Sequence, residues 1–141
     1  MFGPGKVQEN TATFFNSLLE RRFSDAERVL SSIELGLVFY KIHLDSTSRG
    51  KASNKVESNP DYIMGYIKAL EGMLTAARAG DDRTFITRTT TDAETLERYR
   101  RSFNTYVRNE LLHSLFDRGF FSGWLDFIVH QQKLLEEKKA G

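Results

Sequence analysis

The chain has 141 residues, enough for one domain whose core can fold alone. Hydrophobic residues make up 40% of it and charged residues 28%, which is typical of a globular protein and excludes a disordered or fibrous one. The absence of cysteine excludes disulfide frameworks, thiolate metal sites and cysteine nucleophiles. Because the formal net charge is only +1, a site for a polyanion such as nucleic acid has to be a local basic patch.

No segment resembles a targeting or membrane-spanning sequence. The first ten residues lack the basic-then-apolar order of a signal peptide. The most apolar run, residues 33–44, contains Glu34 and Lys41 and is too short to cross a bilayer. We therefore expect a cytoplasmic protein without a membrane partner.

Apolar residues recur at three- and four-residue spacing along most of the chain, which predicts an all-α fold. Asn59 and Pro60 have the residue types of a helix N-cap and a first helical position. The expected helices cover about residues 7–20, 24–45, 60–80, 91–118 and 120–139. Residues 83–90 are the only β-like stretch. Because no repeat or linker divides the chain, we expect a single domain over residues 1–141, a bundle of about five helices.

The fourth helix is predicted from a capping box formed by Thr91 and Glu94 to about Arg118, with Gly119 as its stop. At about 100° per residue, one arc of this helix carries polar and apolar side chains together. The members of this arc are Arg108, Asn109, Leu112, His113 and Phe116. The opposite face is expected to pack in the core and consists of Val107, Leu111 and Leu115.

The run RNELLH at positions 108–113 is the most specific short motif in the sequence. An arginine, a polar residue directly after it and a histidine five positions on resemble the signature of the HEPN superfamily of small α-helical domains, many of them ribonucleases. The run ALEG at positions 69–72 resembles the upstream helix of several HEPN groups. The predicted order of helices resembles that of the family over most of the chain, whereas the residues themselves resemble it only in these two runs. The resemblance implies a HEPN-like bundle, although Leu115 stands where one common toxin group has tyrosine.

The residue types of this motif suit RNA cleavage without a metal or another cofactor. The substrate supplies its own nucleophile, the ribose 2′-hydroxyl. Histidine moves protons near neutral pH, and arginine holds a phosphate with a forked charge that does not titrate. We therefore expect His113 to act as general acid and base and Arg108 to bind the phosphate. Asn109 is expected to orient either the phosphate or His113.

Further residues are assigned supporting roles around the motif. Arg98 and Arg101, one to three turns upstream, are expected to bind RNA. Glu71 is expected to support the catalytic residues without touching RNA. Leu112 and Phe116 are expected to form the interface of a homodimer, which would place two arginines and two histidines around one groove.

The resemblance implies a toxin or defence role, with a nucleotidyltransferase antitoxin as a partner. Two other classes of function remain open. One is a HEPN-like domain without activity that binds a nucleotide or a protein. The other is an unrelated helical adaptor or ribonucleoprotein small subunit, in which the face from Arg98 to Arg108 is a backbone-binding strip. Convergence of Arg108 and His113 at a two-fold interface is expected only for a HEPN fold.

Overall fold

A computed structural model describes residues 4–46, 59–79 and 93–140. These ranges contain five α-helices and no strand, which confirms an all-α bundle of about five helices. The helices are α1 (Pro4–Leu19), α2 (Phe23–Ser46), α3 (Pro60–Ala79), α4 (Ala93–Arg108) and α5 (Leu115–Ala140).

Helices α2 and α3 run in opposite directions, and so do α4 and α5. The turn between α1 and α2 places Arg21 in the left-handed region with φ of 61°. Arg78, near the end of α3, pairs with Glu27, near the start of α2, so these two helices are antiparallel. The start of α5 lies beside the end of α4, where Arg118 bonds to the carbonyl of Val107. The starts of α3 and α5 lie at the same end of the bundle, together with the α4–α5 loop, because the backbone of Tyr62 lies against Gly119.

The core is formed by the inner faces of all five helices. The three- and four-residue apolar spacing predicts the buried face of the second and third helices: Leu30, Ile67 and Leu70 are buried, and Val29, Ile63 and Tyr66 are partly buried. Aromatic rings from α1 and α5 fill the centre, with the centroids of Phe15 and Phe127 separated by 5.3 Å. The largest fully buried side chains are Phe14, Phe15, Phe127, Leu70, Met73, Leu96 and Ile128.

Helices α3 and α5 approach so closely that their contact requires glycine. A Cβ atom placed on Gly119 would collide with the backbone carbonyl of Tyr62. A Cβ atom on Gly65 would collide with the backbone carbonyl of Phe116. Both glycines are buried within regular helix, so their role here is to let two backbones touch. This contact fixes the start of α5 against the start of α3.

The predicted fourth helix is wrong in its C-terminal part. Helix α4 ends at Arg108, and a separate helix begins at Leu115. The side-chain oxygen of Ser114 accepts a hydrogen bond from the backbone N–H of Asp117 at 3.1 Å, which caps the start of α5. Gly119, the predicted stop, lies inside α5, where the contact with α3 explains it.

The third helix begins where the sequence predicts. The side-chain oxygen of Asn59 accepts a hydrogen bond from the N–H of Asp61 at 2.8 Å, and Pro60 is the first helical residue. The β-like stretch at residues 83–90 and the capping residue Thr91 lie outside the described residues.

Candidate functional site

The motif at residues 108–113 lies in the loop between α4 and α5, not on a helix. Arg108 is the last residue of α4, and the chain then turns until Leu115. The single arc predicted for the motif is therefore wrong, because helical spacing does not apply after Arg108. Leu111, predicted to lie in the core, is 96% exposed, and Leu112 is 76% exposed.

Several hydrogen bonds fix the loop. The side-chain oxygen of Asn109 accepts from the N–H of Leu112 at 3.0 Å, an arrangement typical of asparagine in turns. The carbonyl oxygen of Asn109 accepts from the N–H of His113 at 3.2 Å. The Nε of Arg118 donates to the carbonyl of Val107 at 2.6 Å, which satisfies one of the free carbonyls at the end of α4. The loop is thus held by its own backbone, by the side chain of Asn109 and by the side chain of Arg118 on α5.

The ring of His113 is half-buried against two aromatic rings. Its centroid lies 5.8 Å from that of Tyr106 on α4 and 5.1 Å from that of Phe121 on α5, in edge-to-face geometry. Tyr106 and Phe121 also contact each other, with centroids 5.0 Å apart. No side chain in the described ranges hydrogen-bonds to the imidazole of His113. Packing therefore orients the ring and leaves its nitrogens for a ligand.

Arg108 and His113 stand at the two ends of this one loop. Arg108 is exposed, and it forms no ion pair with any residue that the structure describes. Two apolar residues close to this loop in the sequence, Leu112 and Phe116, are exposed. An unpaired guanidinium and an imidazole with free nitrogens are the two groups that phosphodiester cleavage through the 2′-hydroxyl requires.

Arg98 and Arg101 lie on the exposed face of α4 that leads to the loop. The Nε of Arg101 lies 3.2 Å from a carboxylate oxygen of Glu97. A hydrogen bond from Gln132 and the charges of Arg100 and Arg101 outweigh the cost of desolvation and lower the pKa of Glu97. This face therefore carries Arg98 and Arg101 together with two acidic residues, Glu94 and Glu97.

The structure does not bring Glu71 to the loop. Gly65 is the residue of α3 that packs against the start of α5, and Glu71 lies about 9 Å further along the helix axis at 1.5 Å per residue. Its carboxylate accepts a hydrogen bond from Lys68 at 3.1 Å. Burial and the neighbouring Glu71 raise the pKa of Glu34. Burial also acts to raise the pKa of Glu71, but hydrogen bonds from Glu34 and Lys68 outweigh it, so the pKa of Glu71 is lowered. Glu71 thus belongs to a contact between α2 and α3.

Sequence reasoning missed a polar network between α1, α3 and α5. The hydroxyl of Tyr66 donates a hydrogen bond to a carboxylate oxygen of Asp126 at 2.6 Å. Burial and the charge of Asp126 raise the pKa of Tyr66 well above its ordinary value. Asp126 as a residue is exposed, but desolvation of its carboxylate beside Tyr66 raises the pKa of that group too. The Nε2 of His130 lies 2.8 Å from the side-chain oxygen of Asn16, and burial lowers the pKa of His130. The spacing of Asp126 and His130, four residues apart on one helix face, was the available signal.

These groups satisfy one another, so the network connects helices and leaves no arrangement suited to a metal. No group of three or more potential metal ligands occurs among the described residues. None of the helices, over the ranges described, is long and apolar enough to cross a bilayer.

Comparison with known proteins finds no matching family model and no curated protein or solved structure that resembles the chain.

Proposed function

We propose that the protein is a metal-independent endoribonuclease of HEPN type. The observation that supports this proposal is the α4–α5 loop, which has the unpaired guanidinium of Arg108 at its start and the free imidazole nitrogens of His113 near its end. The loop is fixed by hydrogen bonds and the histidine ring by aromatic contacts. Such preorganisation lowers the cost of aligning the groups with a substrate.

The reaction divides between these two residues. His113 accepts the proton of the 2′-hydroxyl, whose oxygen attacks the adjacent phosphorus, and the bond to the 5′-oxygen breaks. In a dimer the partner's His113 returns a proton to that leaving oxygen. Arg108 neutralises the charge that develops on the non-bridging phosphate oxygens. The products end in a 2′,3′-cyclic phosphate and a 5′-hydroxyl.

Asn109 contributes mainly by shaping the loop. Its side-chain oxygen accepts the hydrogen bond from the N–H of Leu112, and its amide hydrogens are left to donate to a phosphate. The catalytic residues of the proposal are Arg108 and His113.

The proposed nuclease is a homodimer in which Leu112 and Phe116 are buried between copies. Leu112→Asp combined with Phe116→Asp is expected to give a folded monomer, because symmetry repeats each buried charge. Sedimentation measures the outcome, with Leu35→Asp as the control because Leu35 is an exposed leucine on α2, away from the loop. A wild-type protein that is monomeric at micromolar concentration would contradict the dimer.

Cleavage of cellular RNA is harmful to the cell that makes such an enzyme. The proposal therefore includes a toxin or defence role in the cytoplasm, held in check by a nucleotidyltransferase antitoxin. Expression of the wild type is expected to stop growth, whereas expression of His113→Ala at the same level is tolerated. Equal tolerance of both proteins would remove the toxin role.

A direct assay tests the nuclease. The purified protein is incubated with several single-stranded RNAs and with DNA of the same sequences, with and without EDTA. We expect RNA to be cleaved in EDTA and DNA to remain intact, because DNA lacks the 2′-hydroxyl. If the wild type cleaves none of the RNAs, the nuclease proposal fails.

That failure would leave a second candidate, a HEPN-like module that binds a nucleotide or a protein without cleaving RNA. The packing of His113 against Tyr106 and Phe121 favours it, because an aromatic setting also suits a histidine with a purely structural role.

A further inference from the structure

The exposed face of α4 carries a straight row of side chains that ends at the α4–α5 loop. The row consists of Arg98, Arg101, Thr105 and Arg108, and all four residues are exposed. At about 100° per residue they fall within an arc of about 80°. From Arg98 to Arg108 the row is about 15 Å long, at 1.5 Å per residue.

The three arginines of this row are available to an anion. Arg98 and Arg108 form no ion pair with any other residue in the described ranges. Arg101 is paired with Glu97, but its side chain is 79% exposed, and a pair in such a position is weak enough to exchange for a phosphate. The hydroxyl of Thr105 donates to the carbonyl of Arg101 at 3.0 Å, so a small side chain folds back between the arginines.

We propose that this arginine row binds the phosphodiester backbone of a single RNA strand and leads it to the α4–α5 loop. The identity of the strand as RNA rests on the proposed nuclease, whereas binding of the backbone depends on charge and spacing alone. Because the row is one residue wide, it contacts a single backbone, and we assign that backbone to a single strand. The short side chain of Thr105 leaves room for the strand between its contacts with Arg101 and Arg108.

The experiment measures the salt dependence of binding. The probe is a short single-stranded RNA made of 2′-O-methyl residues, which cannot be cleaved through the 2′-hydroxyl. Each phosphate contact contributes about −0.7 to the slope of log K against log salt concentration for a single strand. Arg98→Gln combined with Arg101→Gln is therefore expected to reduce the magnitude of this slope by about 1.4.

Arg100→Gln is the matched control, because it removes the same charge from the same helix. Arg100 lies about 160° around the helix from Arg98 and also pairs with Glu97 at 3.6 Å. We expect its slope to equal that of the wild type. An unchanged slope in the double variant, or an equal loss per substitution in Arg100→Gln, would overturn the arginine row.

Two further probes define what the row binds. Single-stranded DNA of the same sequence is expected to show the same loss of slope in the double variant, because phosphates are common to both strands. A reduced slope with RNA but not with DNA would overturn binding through the phosphate backbone. Duplex RNA that binds as tightly as the single strand would overturn the assignment to one strand. If binding follows these expectations and no RNA is ever cleaved, the row stands and the nuclease proposal fails.

Discussion

Gly119→Ala is expected to lower the free energy of unfolding by about 3 kcal/mol or more, at the upper end of the cost of overpacking. The new Cβ atom would collide with the carbonyl of Tyr62, which belongs to the backbone of α3 and cannot rotate away. Relief requires the separation of α3 from α5, and this contact positions the start of α5 beside the loop. Urea unfolding followed by circular dichroism measures the loss.

Gly72→Ala is the matched control for this prediction. Gly72 is an exposed glycine of α3, and nothing lies within 4 Å of the position that its Cβ atom would occupy. Because alanine restricts the unfolded chain and favours helix, this variant is expected to be about 0.4–1 kcal/mol more stable than the wild type. A Gly119→Ala protein as stable as the wild type would show that α3 and α5 do not touch as described.

His113→Ala is expected to lower the rate of RNA cleavage by about 10²–10⁴-fold, the usual contribution of a general acid or base. Arg108→Ala is expected to lower it by about 10²–10³-fold, because one preorganised donor to the developing anion is lost. Arg108 is exposed and His113 only half-buried, so both variants should keep the helical spectrum of the wild type.

Two control variants accompany this prediction. His130→Gln removes a histidine whose ring bonds to Asn16 in the α1–α5 contact, away from the loop. Arg100→Ala removes an arginine of α4 that lies outside the arginine row. Both are expected to cleave RNA at the wild-type rate. Cleavage that persists when Arg108 and His113 are replaced together would assign the activity to other residues or to a contaminant.

Local sequence patterns predict the third helix because the signals for its start are local. Asn59, Pro60 and Asp61 form the cap within three consecutive residues, and the apolar spacing of α3 matches the face that it buries. The break between α4 and α5 was harder to predict, because Glu110, Leu111 and Leu112 are good helix formers. The pattern from Ser114 to Asp117 is a capping signal, and it was present in the sequence.

Contacts between residues that are distant in the sequence explain the remaining differences between the sequence-based predictions and the structure. A glycine near the end of a predicted helix is typical of a C-cap, and only the position of Tyr62 shows that Gly119 serves close packing instead. Arg108 and His113 are five positions apart, so their sequence alone predicts that they are near each other. The place of Glu71 depends on the register between α3 and α5, which helical periodicity does not determine.

The central claim is that the α4–α5 loop cleaves RNA through the substrate's own 2′-hydroxyl. The most direct test uses an oligonucleotide of a cleaved sequence in which every residue is 2′-O-methylated except one ribose at the cleavage position. The account predicts one cut, directly after that ribose, with a 2′,3′-cyclic phosphate end, by the wild type and not by His113→Ala. A cut elsewhere in the strand, a different product end, or an equal cut by His113→Ala would contradict it.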